Sequence, residues 1–182
     1  MIRYLLGLLA ICAHFPGLAQ TEDEEHPTYR KFSTGWVVKI VDSTCMAGRP
    51  YDNGDMLIVA YYVESDTAAV SVSIPAATSL EEGQEVSLYI KFVAGKNLDE
   101  GWGQNKFKVR KSDGTSQLIG SFSGRDMLRD LGRYELVGFT LDNESKRIVG
   151  SYNLDGSAHA MSALQECSIK LAGLNPDDPF LR

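Results

Sequence analysis

A chain of 182 residues, 43% hydrophobic and 23% charged, has the makeup of one globular domain large enough to bury a core. Its 24 acidic and 18 basic residues leave a net charge of −6, and no stretch gathers Lys and Arg. That argues against a partner made of nucleic acid and against a basic membrane-surface site.

The chain opens as a processing segment. Arg3 is a small positive n-region and residues 5–13 are a short apolar run, too short to span a bilayer. Pro16 breaks the run, and Gly17-Leu18-Ala19 offers the small residues a signal peptidase reads, so cleavage is expected after Ala19. A retained anchor is the alternative; a lipoprotein is disfavoured by bulky Ile11 before Cys12. With residues 1–19 removed no transmembrane segment remains, and the expected location is periplasmic or secreted. Two cysteines then survive, Cys45 and Cys167. An even pair in an exported protein favours a disulfide, with two unpaired thiols as the alternative. No histidine stands at ligand spacing from either cysteine, so neither a metal site nor a cofactor is expected.

Residues 20–33 begin with Glu22-Asp23-Glu24-Glu25 and show no hydrophobic period, which reads as an acidic flexible leader. The domain itself is expected over 34–172. Its first strand is 35–41, with Trp36, Val38 and Ile40 on one face. Cys45 follows a short turn, and Asn53-Gly54 is a strong hairpin signal. Residues 56–63 are apolar on both faces and read as a central strand. Residues 68–74 alternate as a half-buried strand stopped by Pro75, 76–83 are a loop, and 85–93 point Val86, Leu88, Ile90 and Phe92 inward.

Residues 94–104 read as a Gly-rich loop that sets Trp102 between two glycines. There Trp102 is either an exposed platform for a ligand or a lid folded back on the end of the fold. A hairpin of 107–110 and 117–122 turns at Ser112-Asp113-Gly114. Ser123 and Asp126 form a capping-box pattern for a helix over 124–131, with Met127, Leu128 and Leu131 inward and Gly132 as its stop. Strands at 135–141 and 147–153 flank a turn that carries the sequon Asn143-Glu144-Ser145. Asp155-Gly156 then leads into a helix capped by Ser157, whose stripe of Ala158, Met161, Leu164 and Cys167 faces the sheet. Residues 173–182, with Pro176 and Pro179, read as a disordered tail. The sum is a mainly β domain: an antiparallel β-sandwich of about eight strands with two short helices.

The ending, an apolar strand followed by Leu154-Asp155-Gly156-Ser157, Ala160 and Leu164, resembles that of invasion-associated locus B proteins. Trp36 before Cys45, Pro75 after a strand, and a Leu-rich helix before the final hairpin fit the same outline. Members of that family more often carry extra cysteines in the middle, where this chain has none. The resemblance implies a small exported β-sandwich of the Gram-negative envelope, linked to host-cell entry and without catalytic residues to carry over.

Chemistry-bearing patterns are sparse. Gly-x-Ser-x-Gly, His-Glu-x-x-His and phosphate-loop motifs are absent. Ser157 and His159 lie two apart and so on different faces of a helix. The expected function is a non-enzymatic binding or interaction domain of the cell envelope, with a protein or envelope component as partner. Trp102, Tyr61 and Tyr62 are the candidate contact residues, because exposed aromatics carry much of the energy of recognition. The alternatives are an envelope inhibitor or structural protein that caps another protein and, further off, a hydrolase.

Overall fold

The fold comes from a computed structural model that describes residues 26–74, 80–95, 97–112, 115–144 and 146–175. The expected signal segment, the acidic run Glu22-Asp23-Glu24-Glu25, Pro75 with residues 76–79 of the loop after it, the Asp113-Gly114 turn, Ser145 of the sequon and residues 176–182 lie outside them. Ten strands and two helices follow in the order β1 (Thr28–Lys31), β2 (Val37–Val41), β3 (Thr44–Pro50), β4 (Met56–Tyr62), β5 (Thr67–Ile74), β6 (Glu85–Ala94), β7 (Asn97–Ser112), β8 (Thr115–Ser123), α1 (Gly124–Arg133), β9 (Leu136–Thr140), β10 (Ile148–Asn153) and α2 (Ser157–Leu171). Among the described residues no helix is long and apolar enough to cross a membrane.

The protein is mainly β and antiparallel, with two helices, but its architecture departs from two stacked sheets of about eight strands. All ten strands join in one open sheet ordered β1-β2-β3-β4-β5-β8-β7-β6-β9-β10. Continuity is secured by β5 pairing with β8 along its whole length and by β6 pairing with both β7 and β9. The sheet curls, so that β10 returns to face β3 and β5: the Tyr152 hydroxyl lies 3.5 Å from the Ser73 carbonyl, and its ring stands edge-on to Tyr51 at 5.1 Å. Period-2 alternation dictates which face of each strand is buried; a curled sheet and a sandwich satisfy it equally.

Two strands appear where the sequence suggested none. β3 contains Cys45 and pairs with β2 across a two-residue turn, Asp42-Ser43, in which both residues take positive φ (46° and 59°). Those angles belong to the hairpin turn whose twist matches its strands, and the usual Gly that announces it is missing. β1 falls inside the expected flexible leader, yet Thr28–Lys31 pair with β2, and the Pro27 carbonyl accepts a hydrogen bond from the Ile40 amide. A third correction concerns the Gly-rich loop, most of which belongs to the sixteen-residue β7.

The concave face is the core. Trp36, Leu57, Leu88, Phe92, Phe107, Phe139 and Tyr152 are essentially inaccessible. α1 packs on β5, β8 and α2, while α2 packs on β2, β3 and β4, so the helix pair fills one end of the curl. Their contact surface is shaped by small residues: a Cβ at Gly132 would stand 3.4 Å from the Ala158 Cα. On α2 the buried stripe is Ser157, Ala160, Met161, Ala163, Leu164, Cys167, Ser168 and Ile169; Ala158, expected to face inward, is exposed. Gly173 and Leu174, read as the start of the tail, instead close α2, with Gly173 at φ 72° and the Leu174 amide donating to the Ile169 carbonyl.

Candidate functional site

Cys45 sits on the inward face of β3 and Cys167 on the sheet-facing side of α2, and the two form a disulfide with Cα atoms 6.0 Å apart. Both are about 1% exposed. The bond fastens the last turns of α2 to the β2–β3 hairpin, and beside it lies an open cavity of about 390 Å³. Three elements build its walls: Ser43, Thr44 and Cys45 from the β2–β3 hairpin, residues 61–65 from the end of β4 and the turn after it, and Ser168, Leu171 and Ala172 from the end of α2.

Tyr61 and Tyr62 both line this cavity but serve different ends, because adjacent strand residues point to opposite faces. Tyr61 is 3% exposed and its hydroxyl lies 3.1 Å from Asp66 Oδ1. Burial first, and then that carboxylate, hold its phenol above the usual tyrosine range. Tyr62 is 44% exposed, and Leu171, on the facing wall, is 43% exposed. Glu64 is the one ionisable carboxylate among the lining residues, and no Lys, Arg or His lines the cavity. The Ser168 hydroxyl is buried without a hydrogen-bond partner.

Asp66 explains how Tyr61 and α1 are held together. It takes a positive φ of 45°, its carbonyl accepts from the Gly124 amide at 2.8 Å, and its carboxylate accepts from the Arg125 amide at 3.1 Å. Two of the free amides at the start of α1 are therefore satisfied from a turn distant in sequence. The expected capping box forms only in part: the Ser123 hydroxyl donates to the Asp126 carboxylate, and neither side chain caps a backbone amide. α1 comes so close to β4 that a Cβ at Gly124 would meet the Tyr61 ring at 2.4 Å.

Trp102 lies elsewhere. The β6–β7 register shifts between Ile90 and Phe92, pairing Ile90 with Gly103 and Phe92 with Asp99. The extra residues form a bulge that turns Trp102 back toward α1. Its indole N–H donates to Asp130 Oδ2 at 2.8 Å, and its ring meets Phe122 edge-on with centroids 5.5 Å apart. Trp102 is partly buried against the core, the arrangement expected of a lid. Trp102 and the Tyr61–Tyr62 pair thus flank α1 without sharing a pocket.

No catalytic set gathers around the cavity. Ser157 donates its hydroxyl to the Leu131 carbonyl at 2.6 Å, inside the α1–α2 contact, while His159 is exposed. Among the described residues no group of three His, Cys, Asp or Glu stands close enough to hold a metal ion. The cavity itself was not legible in the sequence: Ser43 and Thr44, Glu64, and Leu171 come from three separate parts of the chain, which the pairing of β3 with β4, the packing of α2 on both and the disulfide bring together. No family model, no curated protein and no solved structure matches this chain.

Proposed function

We propose that this protein is an exported, non-catalytic binding domain that engages its partner through the cavity beside the Cys45–Cys167 bond. The observation that carries the reading is the combination at that one place of a cavity of ligand-binding size, exposed Tyr62 and Leu171, and walls locked by a disulfide. A preorganised wall loses little freedom when a partner docks, so more of the contact energy appears as affinity. The disulfide also supports a periplasmic or secreted location, since such bonds persist in oxidising compartments. The resemblance to invasion-associated locus B proteins points the same way, toward an envelope protein whose partner is a protein or envelope component.

A fragment screen by amide chemical shifts tests the reading. Binders are expected to move the amides of residues 43–45, 62–65 and 168–172 together, and Tyr62→Ala is expected to weaken them with the fold unchanged. Binders that cluster elsewhere would refute the site.

A second reading, an inhibitor or structural protein that caps another protein, draws support from the sheet edges. Among the described residues β10 has a neighbour on one side only, and Ile148 on it is 65% exposed, as a strand-adding partner requires. Ile148→Lys is expected to abolish capture of such a partner and to leave the cavity's fragment binding intact.

A further inference from the structure

We infer that the occupant of this cavity carries a primary ammonium group, as at the end of a lysine side chain. The inference rests on the binding reading above and adds the chemistry of the ligand. Three features converge. Glu64 lines the cavity, is exposed, and makes no hydrogen bond or ion pair among the described residues, so its carboxylate is available. Residues of the last turn of α2 and its cap form another wall, which places the negative pole of a fifteen-residue helix at the cavity. Tyr62 offers an exposed ring, whose face attracts a cation.

The counter-charges are accounted for. No basic residue lines the cavity, and Lys170, the one cation in the last turn of α2, is drawn to Glu166 and the Tyr29 hydroxyl on the β1 side. A carboxylate ligand would therefore meet Glu64 and the helix pole with nothing to offset them. A neutral apolar ligand would find Leu171 and Val63 but make no use of the exposed Glu64 carboxylate beside them. An alkylammonium satisfies both halves: its chain lies along Leu171 and Val63, and its head reaches the carboxylate and the tyrosine ring.

The test compares n-pentylammonium with n-pentanol, matched in length and differing in charge, by amide chemical shifts of the disulfide-bonded protein at neutral pH. Pentylammonium is expected to bind at residues 43–45, 62–65 and 168–172 at least about tenfold more tightly, to weaken with added salt, and to lose that advantage in Glu64→Gln. Equal binding of the two compounds, or an advantage that survives Glu64→Gln, would overturn the ammonium assignment while leaving the binding site in place. If neither compound moves these amides, the site itself is refuted.

Discussion

Flanked by Gly101 and Gly103, Trp102 could have pointed to solvent; its indole N–H and its apolar rings each found a better partner inside. Asp130 takes the N–H, and Arg129 also reaches that carboxylate, so the acceptor is held in place. Phe122 takes the ring. Truncation would remove a partly buried aromatic and leave Asp130 short of a donor. Trp102→Ala is expected to cost about 2–4 kcal/mol, visible as a fall in melting temperature of roughly 5–15 °C by calorimetry. Trp102→Phe, which keeps the ring contact and drops the hydrogen bond, should cost about 1 kcal/mol. A melting temperature unmoved by the alanine change would mean that the ring is not packed as described. Glycine fits this turn for two reasons: Gly103 takes φ 63°, and a Cβ at Gly101 would meet the Ile90 carbonyl at 2.6 Å.

α2 is held to the sheet at two places by different forces. The Cys45–Cys167 bond closes a loop with a sequence separation of 122, and the loop-entropy model assigns such a bond up to about 4–5 kcal/mol, acting through the unfolded chain. Cys45→Ala with Cys167→Ala is therefore expected to lower the denaturant midpoint strongly and to loosen α2 from β3. Far-ultraviolet circular dichroism that stays native while the midpoint falls would mark this as loss of a staple rather than loss of the fold. The second tie joins α2 to β1: Lys170 donates to Glu166, and Lys170 also reaches the Tyr29 hydroxyl. The Lys170 hydrogen bond holds the Glu166 carboxyl below the ordinary glutamate range, and the same bond holds the Lys170 ammonium above the ordinary lysine range. The depressed carboxylate stabilises the folded state above its unfolded pKa and loses that effect as pH falls through the folded value. The raised ammonium is stabilising below its unfolded pKa and loses its effect as pH rises through the folded value. Hydrogen exchange of the β1 amides should accordingly quicken as pH drops below the glutamate range, relative to the intrinsic rate. In Glu166→Gln that acid step should vanish; an unchanged step would place its origin elsewhere.

At the scale of the whole molecule, the open question for a ten-stranded sheet is what keeps it curled. Three side chains answer from the β2–β3 arm, and all donate to backbone carbonyls at or just past the end of β10. The Trp36 indole N–H and the Arg49 guanidinium both reach the Asp155 carbonyl, at 3.1 and 2.9 Å, and the Tyr51 hydroxyl reaches the Asn153 carbonyl at 2.8 Å. These carbonyls would otherwise be unpaired at a sheet edge. Burial lifts the Tyr51 phenol to about 12, against a smaller lowering by Arg49, so it remains a donor throughout the physiological range. Tyr51→Phe is expected to cost about 1 kcal/mol, and Arg49→Ala with Tyr51→Phe more than the sum of its parts, because both span the same closure. The check is a double-mutant cycle in urea; strict additivity would show that the two contacts do not act as one latch.

Hydrophobic pattern and turn residues made eight of the strands legible: a strand with one buried face writes that face in every second residue, and Met56–Tyr62, apolar on both faces, declared its central place. Cysteine count was enough to pair Cys45 with Cys167. The Asp42-Ser43 turn, the trans capping of α1 by Asp66 and the docking of β1 were not legible: each depends on a partner distant in sequence or on a backbone angle that Asp and Ser adopt only when neighbours hold them there. The same limit applies to the cavity, whose walls meet only when the chain has closed on itself. Local period and composition determine which residues hide from water. Which of the remaining residues come to share a surface is decided by the curl of the sheet and the sulfur bridge, since those bring together groups that no spacing along the chain relates.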